Sequence, residues 1–552
     1  MPRPASSVSR SSPWVPALLA AAAVVTGVAY LLSAAYVVGR WPTFPLDDAW
    51  IHLSFARNLA AGHGLSIVPG EPVAGSTAPL WTALAALGVS VSLGGVLWMQ
   101  LLGIGLDSLG VVLSWRLSRE LGLSRGLSAL AGALVVVTAW MAWSAVSGME
   151  VPLFVVLSVG GLVLHLKERA DPGRPRLSLP VFGLSVLARP EGLLLLACAL
   201  IDGLLLWRRR SDGGLEWIGR CALSPARLPR VLGAPLALAG LAFLPVAAWY
   251  VWIGGSPLPT TFAAKAGGGG LHLPDLHYLH VAAGVFFRPQ PWVAVFAPAG
   301  VVGLVSHLGT PRDRGLLPAL WLVALPLAYS CLNPAEGGPL IGNFGRYLFP
   351  LFPVLIVLGV LGMEPVAAAL GASWRRSKPR SVLALGALLL VLAPPVIALA
   401  RGATLYARNV LDVESGDVRM AHWLATRLPP DAVIATMDIG ALSTLLPNRI
   451  VDLAGIADPS VLDAIARAKA RGGTWQDGVL AFIAERRPDY LVVFPDWLTS
   501  VNRPGSGFTR LATIRVPGNV TLGHDSLALY STPWTREPLG GGPAAGGNGA
   551  PR

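Results

Sequence analysis

Long apolar segments recur through the first four hundred residues and restrict the fold of this chain more than any other feature. A helix needs about 20 mainly apolar residues to cross the hydrocarbon core of a bilayer, and segments near or somewhat below that length repeat here. They lie near residues 14–38, 95–115, 127–146, 150–166, 177–188, 190–207, 232–253, 291–308, 315–331, 347–363 and 381–400. The pattern predicts an α-helical polytopic membrane protein with about eleven transmembrane helices.

The composition agrees with a membrane protein and argues against a nucleic-acid-binding protein. Hydrophobic residues make up 53% of the chain and charged residues only 13%, whereas roughly a quarter of an ordinary soluble domain is charged. The net charge of +12 comes from short Lys and Arg clusters between apolar segments, the pattern that orients membrane proteins. We therefore expect a lipid bilayer as partner and no nucleic acid.

The basic clusters predict the orientation of the chain. The first apolar segment exceeds the roughly 7–15 residues of a signal-peptide core, so we interpret it as a retained helix with a cytoplasmic N-terminus. The strong basic clusters then all fall on the cytoplasmic side. This interpretation requires "PLWTALAALGVSV", residues 79–91, to lie along the outer surface or to enter the membrane only partway.

Ionisable and polar motifs collect in the segments that this topology places outside. They are "LDDAW", "SGME" at 147–150, "RPEG" at 189–192, "GSPLPTTFAAK" at 255–265 and "GNFGRYLFP" at 342–350. Charged residues at the ends of transmembrane segments are costly and often mark function. The outer face is therefore the predicted site.

Two adjacent acids, Asp47 and Asp48, begin the first outer segment. One of them could cap the helix that runs through "AWIHLSFARNLAAG" to Gly62. A cap needs only one acid, however, and a second carboxylate beside a like charge would have a raised pKa, as a general base requires. Catalysis and capping both stay open. His52 follows Asp48 by one helical turn and is either a proton partner or an interfacial side chain.

The outer motifs resemble those of GT-C membrane glycosyltransferases, particularly the bacterial arabinofuranosyltransferase-like and mannosyltransferase-like members. "DDAWIHLSFARNLAAGHGLSIVPGEPVAGSTAPLW", "SGMEVPLF", "LARPEGLLL", "GSPLPTTFAAK" and "GRYLFPLFP" occur in the family's order at similar separations, over roughly the first 365 residues. The chain departs from many relatives at Val151 and Ala78, where they have Thr and Asn. These departures concern the sugar and the acceptor more than the reaction type.

The resemblance implies a GT-C-like fold in a bacterial inner (plasma) membrane. It also implies an enzyme that transfers a sugar from a polyprenyl-phosphate carrier to an acceptor hydroxyl of a glycan or glycolipid on the extracytoplasmic side, with inversion at the anomeric carbon. In the family an acidic residue just after the first helix is the proposed base. That position matches Asp47 and Asp48, with a slight preference for Asp47.

Three outer cations could stabilise the departing lipid phosphate, which gains negative charge in the transition state. They are Arg189, Lys265 and Arg346, and the alternative is that each side chain reaches toward lipid headgroups. Glu150 and Glu191 would bind sugar hydroxyls or pair with those arginines. Tyr347 would stack on the sugar, line the lipid groove or pack in the core.

The sequence leaves the metal content open. His272, His277 and His280 follow "AGGGG" in an outer loop, but no carboxylate-rich ligand set surrounds them, and a dedicated zinc site is disfavoured. A divalent cation, Mg²⁺ or Mn²⁺, bridging Asp48 and the lipid phosphate stays an alternative. No other cofactor is expected.

The composition changes after residue 401, which divides the chain into a transmembrane catalytic domain at 1–401 and an extracytoplasmic domain at 402–535. Helical and strand-like stretches alternate between about 410 and 535, which predicts a small α/β domain with a mostly parallel sheet. Asp438 and Asp452 end predicted strands, where they line a crevice or cap the next helix. The Gly- and Pro-rich segment 536–552 is expected to be a disordered tail.

Two other classes of function fit some of these features. A transporter or lipid flippase would also have many transmembrane helices, but its ionisable residues should lie near the bilayer midplane. A noncatalytic scaffold for envelope assembly would tolerate the same motifs if the aspartates only cap helices. Sugar transfer that depends on the two aspartates separates the enzyme from both.

Overall fold

The structure is a computed structural model of the chain. It describes residues 14–169, 175–204, 207–209, 215–217, 232–265, 272–307, 316–332, 343–365, 367–368, 380–537 and 539. Several loops that carry the orientation argument, among them residues 308–315 and 371–379, lie outside the described residues, as does nearly all of the predicted tail.

Helices form the first part of the chain, up to residue 413. Their bounds are α1 Trp14–Val38, α2 Asp47–Ala60, α3 Pro79–Ser90, α4 Gly95–Glu120, α5 Arg125–Val136, α6 Ala139–Val146, α7 Val151–Arg169, α8 Ser178–Val186, α9 Gly192–Leu204, α10 Ala234–Gly254, α11 Thr260–Lys265, α12 Leu276–Phe287, α13 Phe296–His307, α14 Leu317–Leu332, α15 Phe352–Gly362 and α16 Arg380–Val413. Short 3-10 helices, Pro291–Val295 and Asn343–Leu351, precede α13 and α15. A short antiparallel hairpin joins β1, Trp207–Arg209, to β2, Leu215–Trp217.

Five helical segments within the described residues are long and apolar enough to cross a membrane. A sixth results if α5 and α6, which meet at an angle of 57°, together form one broken span. Several other apolar helices are shorter, and α3 has only 12 residues, too few to cross the bilayer as a straight helix. The chain is a multispanning protein, and the number of about eleven transmembrane helices stays a prediction.

Helix α16 continues through a π-helical turn, Glu414–Val418, into the C-terminal part of the chain. The elements there are α17 Arg419–Ala425, β3 Val433–Thr436, α18 Gly440–Leu445, β4 Arg449–Asp452, α19 Ser460–Ala470, α20 Trp475–Arg486, β5 Tyr490–Val493, β6 Thr509–Arg515 and β7 Ser526–Ser531. We call residues 419–537 the sheet domain.

The sheet has the strand order β4-β3-β5-β7-β6. Strand β3 pairs in parallel with β4 and β5, whereas β7 is antiparallel to both β5 and β6. The prediction of a mostly parallel sheet was therefore only half right. Helices connect the three parallel strands, but β6 and β7 have only a loop between them, and a short connection requires antiparallel strands.

Helices cover both faces of the sheet, and one of them is α2. Successive strand residues point to opposite faces, so Ala435 packs with the residues of α19 and α20 while Ile434 faces the other side. The hydrophobic cluster on Ile434's side includes Ile51 and Phe55 of α2. The second helix of the chain therefore belongs to the core of the sheet domain as well as to the helical bundle.

Polar contacts reinforce this junction. The Thr444 hydroxyl donates to the Trp50 carbonyl at 3.0 Å, and the Arg57 guanidinium donates to the Thr444 carbonyl. A second set of contacts involves α16 instead of α2. Asn409 of α16 accepts from the Trp143 indole of α6 at 3.0 Å and donates to Thr521 of the sheet domain at 2.9 Å. The sheet domain is thus fixed to the bundle by side chains from α2, α6 and α16.

Candidate functional site

One small cavity gathers most of the residues that the sequence selected. It has a volume of about 60 Å³ and lies where α2, α14 and the 3-10 helix before α15 meet the loops that precede α7 and α9. The predicted residues that line it are Asp48, His52, Glu150, Arg189, Glu191, Arg346 and Tyr347. They come from four separate motifs, and we call this space the basic cavity.

An ion pair between Arg346 and Asp48 spans the basic cavity. Nη2 of Arg346 donates to Oδ2 of Asp48 at 2.6 Å. The arginine side chain is 2% exposed and that of the aspartate 24%. Arg346 is therefore a buried cation, which excludes the alternative of a side chain that reaches toward lipid headgroups.

Arg189 is also buried and is held by two acids. Its Nε and Nη2 donate to Glu191 Oε1 at 3.1 and 2.7 Å, and its Nη1 lies 3.5 Å from Glu150 Oε1. Burial acts to lower the pKa of Arg189, but the negative charges of Glu191 and Glu150 outweigh burial and raise it above the ordinary value. The two glutamates hold this guanidinium in place and keep it charged.

Tyr347 lies against both guanidinium groups. Its ring centroid is 4.9 Å from Cζ of Arg189 and 5.4 Å from Cζ of Arg346, and the Tyr329 ring is 5.7 Å away. A cation over an aromatic face is attracted by the negative charge of that face. The ring therefore lies close to both cations and stabilises both.

His52 and Glu150 form the side of the basic cavity that faces α2 and α7. His52 Nε2 lies 3.2 Å from Glu150 Oε2. Burial acts to raise the pKa of Glu150, but the nearby imidazole of His52 and the charge of Arg189 lower it to about 2. Glu150 therefore stays ionised and is a weak base near neutral pH.

Asp47 lies outside the basic cavity, in contrast to the slight preference for it as the base. Its two carboxylate oxygens accept from the backbone N–H groups of Gly440 and Ala441, both at 2.7 Å. A carboxylate at this position satisfies the free amides of the first turn of α18. Asp47 is thus a cap, though for a helix of the sheet domain instead of its own. A Cβ at Gly440 would lie 2.2 Å from the Asp47 carbonyl oxygen, so glycine is required there.

Asp47 and Asp48 separate because successive residues of a helix point about 100° apart. Burial, and secondarily the charge of Asp48, raises the pKa of Asp47 to about 6, against the lowering effect of the two amide hydrogen bonds. One acid does raise the pKa of the other, as predicted, but the raised pKa is that of Asp47, which caps α18.

A role of Lys265 in the site stays a prediction, and the loop histidines lie outside the basic cavity. Lys265 is the last residue of α11, and its side chain lies outside the described part of the chain. His272, His277 and His280 do not line the basic cavity. Among the described residues no three His, Cys, Asp or Glu side chains cluster so that they could hold a metal ion. The divalent cation stays a prediction.

Three lining residues could not be selected from the sequence. Tyr329 donates to Glu191, but it lies inside an apolar helix without a motif. Thr261 belongs to a quoted motif in which only Lys265 was singled out, and its hydroxyl donates to the Gly75 carbonyl at 3.1 Å. Ile456 comes from the sheet domain, and only the tertiary structure brings it to the site.

Asp417 and Asp438 form a second group of acids near Asp47. Burial first, and then the charges of Asp47 and Asp48, raises the pKa of Asp438 well above its ordinary value. Asp417, in the π-helical turn, is buried, and its pKa is also raised well above the ordinary value by burial and by Asp438. Asp452 instead accepts from Ala454 and Ala457 at 2.7 and 2.5 Å, and so braces the loop that carries Ile456.

The chain is a multispanning helical membrane protein with a GT-C-like fold. The crystal structure of ArnT from Cupriavidus metallidurans bound to undecaprenyl phosphate is similar, with a TM-score of 0.55 and 15% identity, over 94% of this chain and 98% of that one. The apo structure of the same protein gives a TM-score of 0.56 at 15% identity, over 95% and 99%.

A third similar structure is the arabinofuranosyltransferase AftD from Mycobacteria, with a TM-score of 0.47 and 17% identity, over 95% of this chain and 42% of that one. Residues 406–532 match a family described as a domain of unknown function, DUF8728. None of the curated proteins matches the chain.

Proposed function

We propose that the protein is a membrane glycosyltransferase that transfers a sugar from a polyprenyl-phosphate carrier to an acceptor hydroxyl. One observation carries the proposal: two buried arginines converge on a small cavity that has a carboxylate, Asp48, at its edge. Nη1 of Arg189 and Nη1 of Arg346 are buried and have no hydrogen-bond partner among the described residues. Buried guanidinium N–H groups without partners are costly, and a phosphate would satisfy both.

The size of the basic cavity fits a phosphate group. A volume of about 60 Å³ corresponds to about two water molecules at the volume of about 30 Å³ that each occupies in the liquid. An apolar cavity of about 360 Å³ lies between α12, α13, α14 and α15, and the 3-10 helix before α15 supplies residues to both cavities. Tyr347 lines the basic cavity and Leu348, the next residue, lines the apolar one. A phosphate in the first and a prenyl chain in the second would be continuous, and undecaprenyl phosphate is the ligand bound in the similar ArnT structure.

Asp48 is the carboxylate that we assign as the base. It removes the proton from the acceptor hydroxyl, the freed oxygen forms a bond to the anomeric carbon, and the bond from that carbon to the phosphate oxygen breaks. The electron pair of the broken bond leaves with the polyprenyl phosphate, which Arg189 and Arg346 stabilise. A single displacement of this kind inverts the anomeric carbon. The double displacement of retaining enzymes needs a second, nucleophilic carboxylate, and Glu150 and Glu191 are held by Arg189 and His52.

The donor itself can activate Asp48. Before the donor binds, the carboxylate is paired with Arg346 at 2.6 Å, and a paired carboxylate is a weak base. The phosphodiester monoanion of the donor competes in the basic cavity for the same guanidinium and loosens that pair. Asp48 becomes basic only when the donor is present, which protects the site from unproductive protonation.

The proposed location of the site rests on the membrane topology that the basic clusters of the sequence predict. We place the basic cavity and the sheet domain on the extracytoplasmic side of a bacterial inner membrane, with the N-terminus in the cytoplasm, because the Lys and Arg clusters then all face inward. The acceptor is a glycan or glycolipid of the cell envelope. Arabinofuranose and mannose are the donor sugars to test first, since the motifs resemble enzymes for these sugars.

The experiment uses the purified full-length protein in liposomes with radiolabelled decaprenyl-phosphate arabinofuranose or polyprenyl-phosphate mannose. Label should pass to an acceptor extracted from bacterial envelope, and NMR of the product should show the anomeric configuration opposite to that of the donor. The matched control is Asp48→Asn. Transfer that survives in Asp48→Asn, or a product with retained configuration, contradicts the mechanism. Parallel assays with Mg²⁺, Mn²⁺ and a chelator test the divalent cation.

A further inference from the structure

A larger cleft lies between the helical bundle and the sheet domain. It has a volume of about 830 Å³ and is lined by the start of α2, by the end of α16 and by loops of the sheet domain. Three of those loops follow β3, β4 and β5, the parallel strands, at their carboxyl ends. Ligands of open α/β sheets bind at that edge of the sheet. We call this space the interdomain cleft.

Two tryptophans give the interdomain cleft an aromatic lining. Trp475 and Trp497 both line it and are 37% and 39% exposed. Large aromatic side chains are usually more buried than this, and their exposure within a cleft indicates a ligand. An indole ring offers a flat apolar face that suits the C–H face of a sugar ring.

Both indoles are held in place by the local structure. Trp475 is the first residue of α20 and lies within the capping box that Thr474 and Asp477 form. Trp497 packs edge-to-face on Phe494, with ring centroids 5.2 Å apart. A Cβ at Gly523 would lie 2.4 Å from the Trp497 ring, so glycine lets the backbone lie against the indole. Rigid side chains lose little entropy when a ligand binds.

The charge of the interdomain cleft restricts the ligand further. Asp47, Asp48, Asp438 and Asp496 line it, and no Lys or Arg is among its described lining residues. Asp496 is paired with exposed His524 at 2.8 Å. Carboxylates accept hydrogen bonds from sugar hydroxyls and attract amines, whereas they repel phosphates and uronates.

The interdomain cleft also reaches the proposed base. Asp48, Ile51 and Ile456 line both the cleft and the basic cavity. A hydroxyl presented from the cleft would therefore meet a donor held in the basic cavity at Asp48. The basic cavity has two arginines, whereas no Lys or Arg is among the described lining residues of the cleft, so each space suits a different substrate.

We propose that the interdomain cleft binds the acceptor, and that this acceptor is a neutral or amino-bearing glycan held between Asp438 and Asp496 by stacking on Trp475 and Trp497. This inference rests on the proposed function, because it assigns the second substrate of the same site. It excludes acceptors whose binding portion carries phosphate or carboxylate groups.

The test measures binding of three oligosaccharide probes to the full-length protein in nanodiscs, by saturation-transfer NMR and tryptophan fluorescence. The probes are a neutral manno-oligosaccharide, a chitosan oligomer and an oligogalacturonate of equal length. The neutral or the cationic probe should bind about tenfold more tightly than the anionic one. Trp475→Ala and Trp497→Ala should each weaken that binding by about tenfold. Trp252→Ala is the control, since Trp252 is 78% exposed on α10, outside the cleft.

Binding of decaprenyl phosphate to the same samples separates the two proposals. Loss of that binding in Arg346→Ala but not in Trp475→Ala supports separate donor and acceptor sites. If decaprenyl phosphate does not bind the native protein, the proposed function fails. If it binds, while none of the probes does, or the anionic probe binds as tightly as the others, or the tryptophan variants bind normally, only the acceptor assignment is overturned.

Discussion

Adjacent residues of this chain serve different parts of the molecule. Asp47 accepts two amide hydrogen bonds from α18 of the sheet domain, whereas Asp48 pairs with Arg346 in the basic cavity. Their carboxylates therefore have different hydrogen-bond partners. Substitutions at these two positions provide a matched pair in which the chemistry of the side chain is the same and only the surroundings differ.

Asp48→Asn should abolish sugar transfer, with turnover reduced by about 10²–10⁴-fold, because a general base contributes about that much. The amide can still lie beside Arg346, so the fold should keep its thermal midpoint. Asp47→Asn should leave turnover within a few fold and lower the midpoint instead, because an amide offers one acceptor oxygen to two amides. Radiolabel transfer and differential scanning fluorimetry on both variants measure this; the opposite assignment of effects would show that Asp47 is the base.

Arg346→Lys should weaken donor binding although it keeps the charge. Lysine is a point charge and cannot replace the planar fork that contacts a carboxylate and a phosphate together. We expect the apparent affinity for decaprenyl phosphate to fall by about tenfold, measured by isothermal calorimetry in nanodiscs. The control is Arg449→Lys, at an exposed pair with Glu71 on the surface of the sheet domain. Equal affinities of the two variants would exclude a phosphate-binding role for Arg346.

At the scale of elements, α2 is the helix on which the site depends. It supplies Asp47 to α18, Ile51 and Phe55 to the core of the sheet domain, and Asp48 and His52 to the basic cavity. A helix can do this because its side chains point in all directions around the axis. Its displacement would change the donor site and the domain interface together.

Phe55→Ala should destabilise the protein by about 3–5 kcal/mol, because it removes a fully buried ring from the sheet-domain core. Activity should fall in parallel with the loss of folded protein. Differential scanning fluorimetry gives the midpoint, and limited proteolysis shows which part opens first. Leu59→Ala is the control on the same helix, since Leu59 is only partly buried and packs on the bundle instead. A larger effect of the control would contradict the role of α2 in the sheet domain.

The π-helical turn after α16 carries a titratable group whose effect on stability has a definite sign. The pKa of Asp417 is raised well above its ordinary value by burial, and neither of its carboxylate oxygens has a hydrogen-bond partner among the described residues. The folded protein keeps this proton at pH values where the unfolded chain has released it. Stability is therefore fully present below the ordinary pKa of about 4 and falls as the pH rises toward the raised value.

Asp417→Asn should consequently raise the thermal midpoint at pH 7–8 by about 2–4 °C and flatten its decrease with pH. The amide has nearly the same shape and removes the buried charge. Melting curves between pH 4 and pH 8 measure the difference. Glu414→Gln is the neighbouring control, because Glu414 is paired with Arg40 and Thr43 and should lose stability when neutralised. A lower midpoint for Asp417→Asn at pH 8 would show that the carboxylate is ionised and satisfied.

At the scale of the whole molecule, the sheet domain is not a separate body. Its core is completed by residues from α2, which precede it by more than 350 positions in the chain. The boundary predicted at residue 402 therefore cuts through a continuous helix, α16, and omits part of a core. The site and the interdomain cleft exist only where bundle and sheet domain meet.

A fragment of residues 402–535 should accordingly unfold at a lower denaturant concentration than the same fragment with residues 45–62 supplied as a peptide. Each of Ile51 and Phe55 contributes about 1.5–3 kcal/mol when buried. Circular dichroism with urea measures both mixtures. A peptide with Ile51→Ser and Phe55→Ser is the control. Identical midpoints with the native and the control peptide would show that the domain completes its core alone.

The sequence by itself determined that this protein lies in a lipid bilayer and which of its residues are candidates for the site. Apolar length and sparse charge require a bilayer, because uncharged helices of this kind would not stay in water. Seven of the residues that were selected from the ordered outer motifs line the basic cavity, since ionisable groups beside a membrane are too costly to occur without partners. These are properties of residue type and spacing, and they need no coordinates.

Only the tertiary structure decided which acid faces the site, which glutamates hold Arg189, and where Ile456 and the two cleft tryptophans lie. Asp47 and Asp48 have the same chemistry and adjacent positions, so no local pattern separates them. Their environments differ because the direction of each side chain around α2 determines which neighbour it meets. Those neighbours, Gly440 and Arg346, lie hundreds of residues away, and contacts over such distances are fixed by the packing of the whole chain.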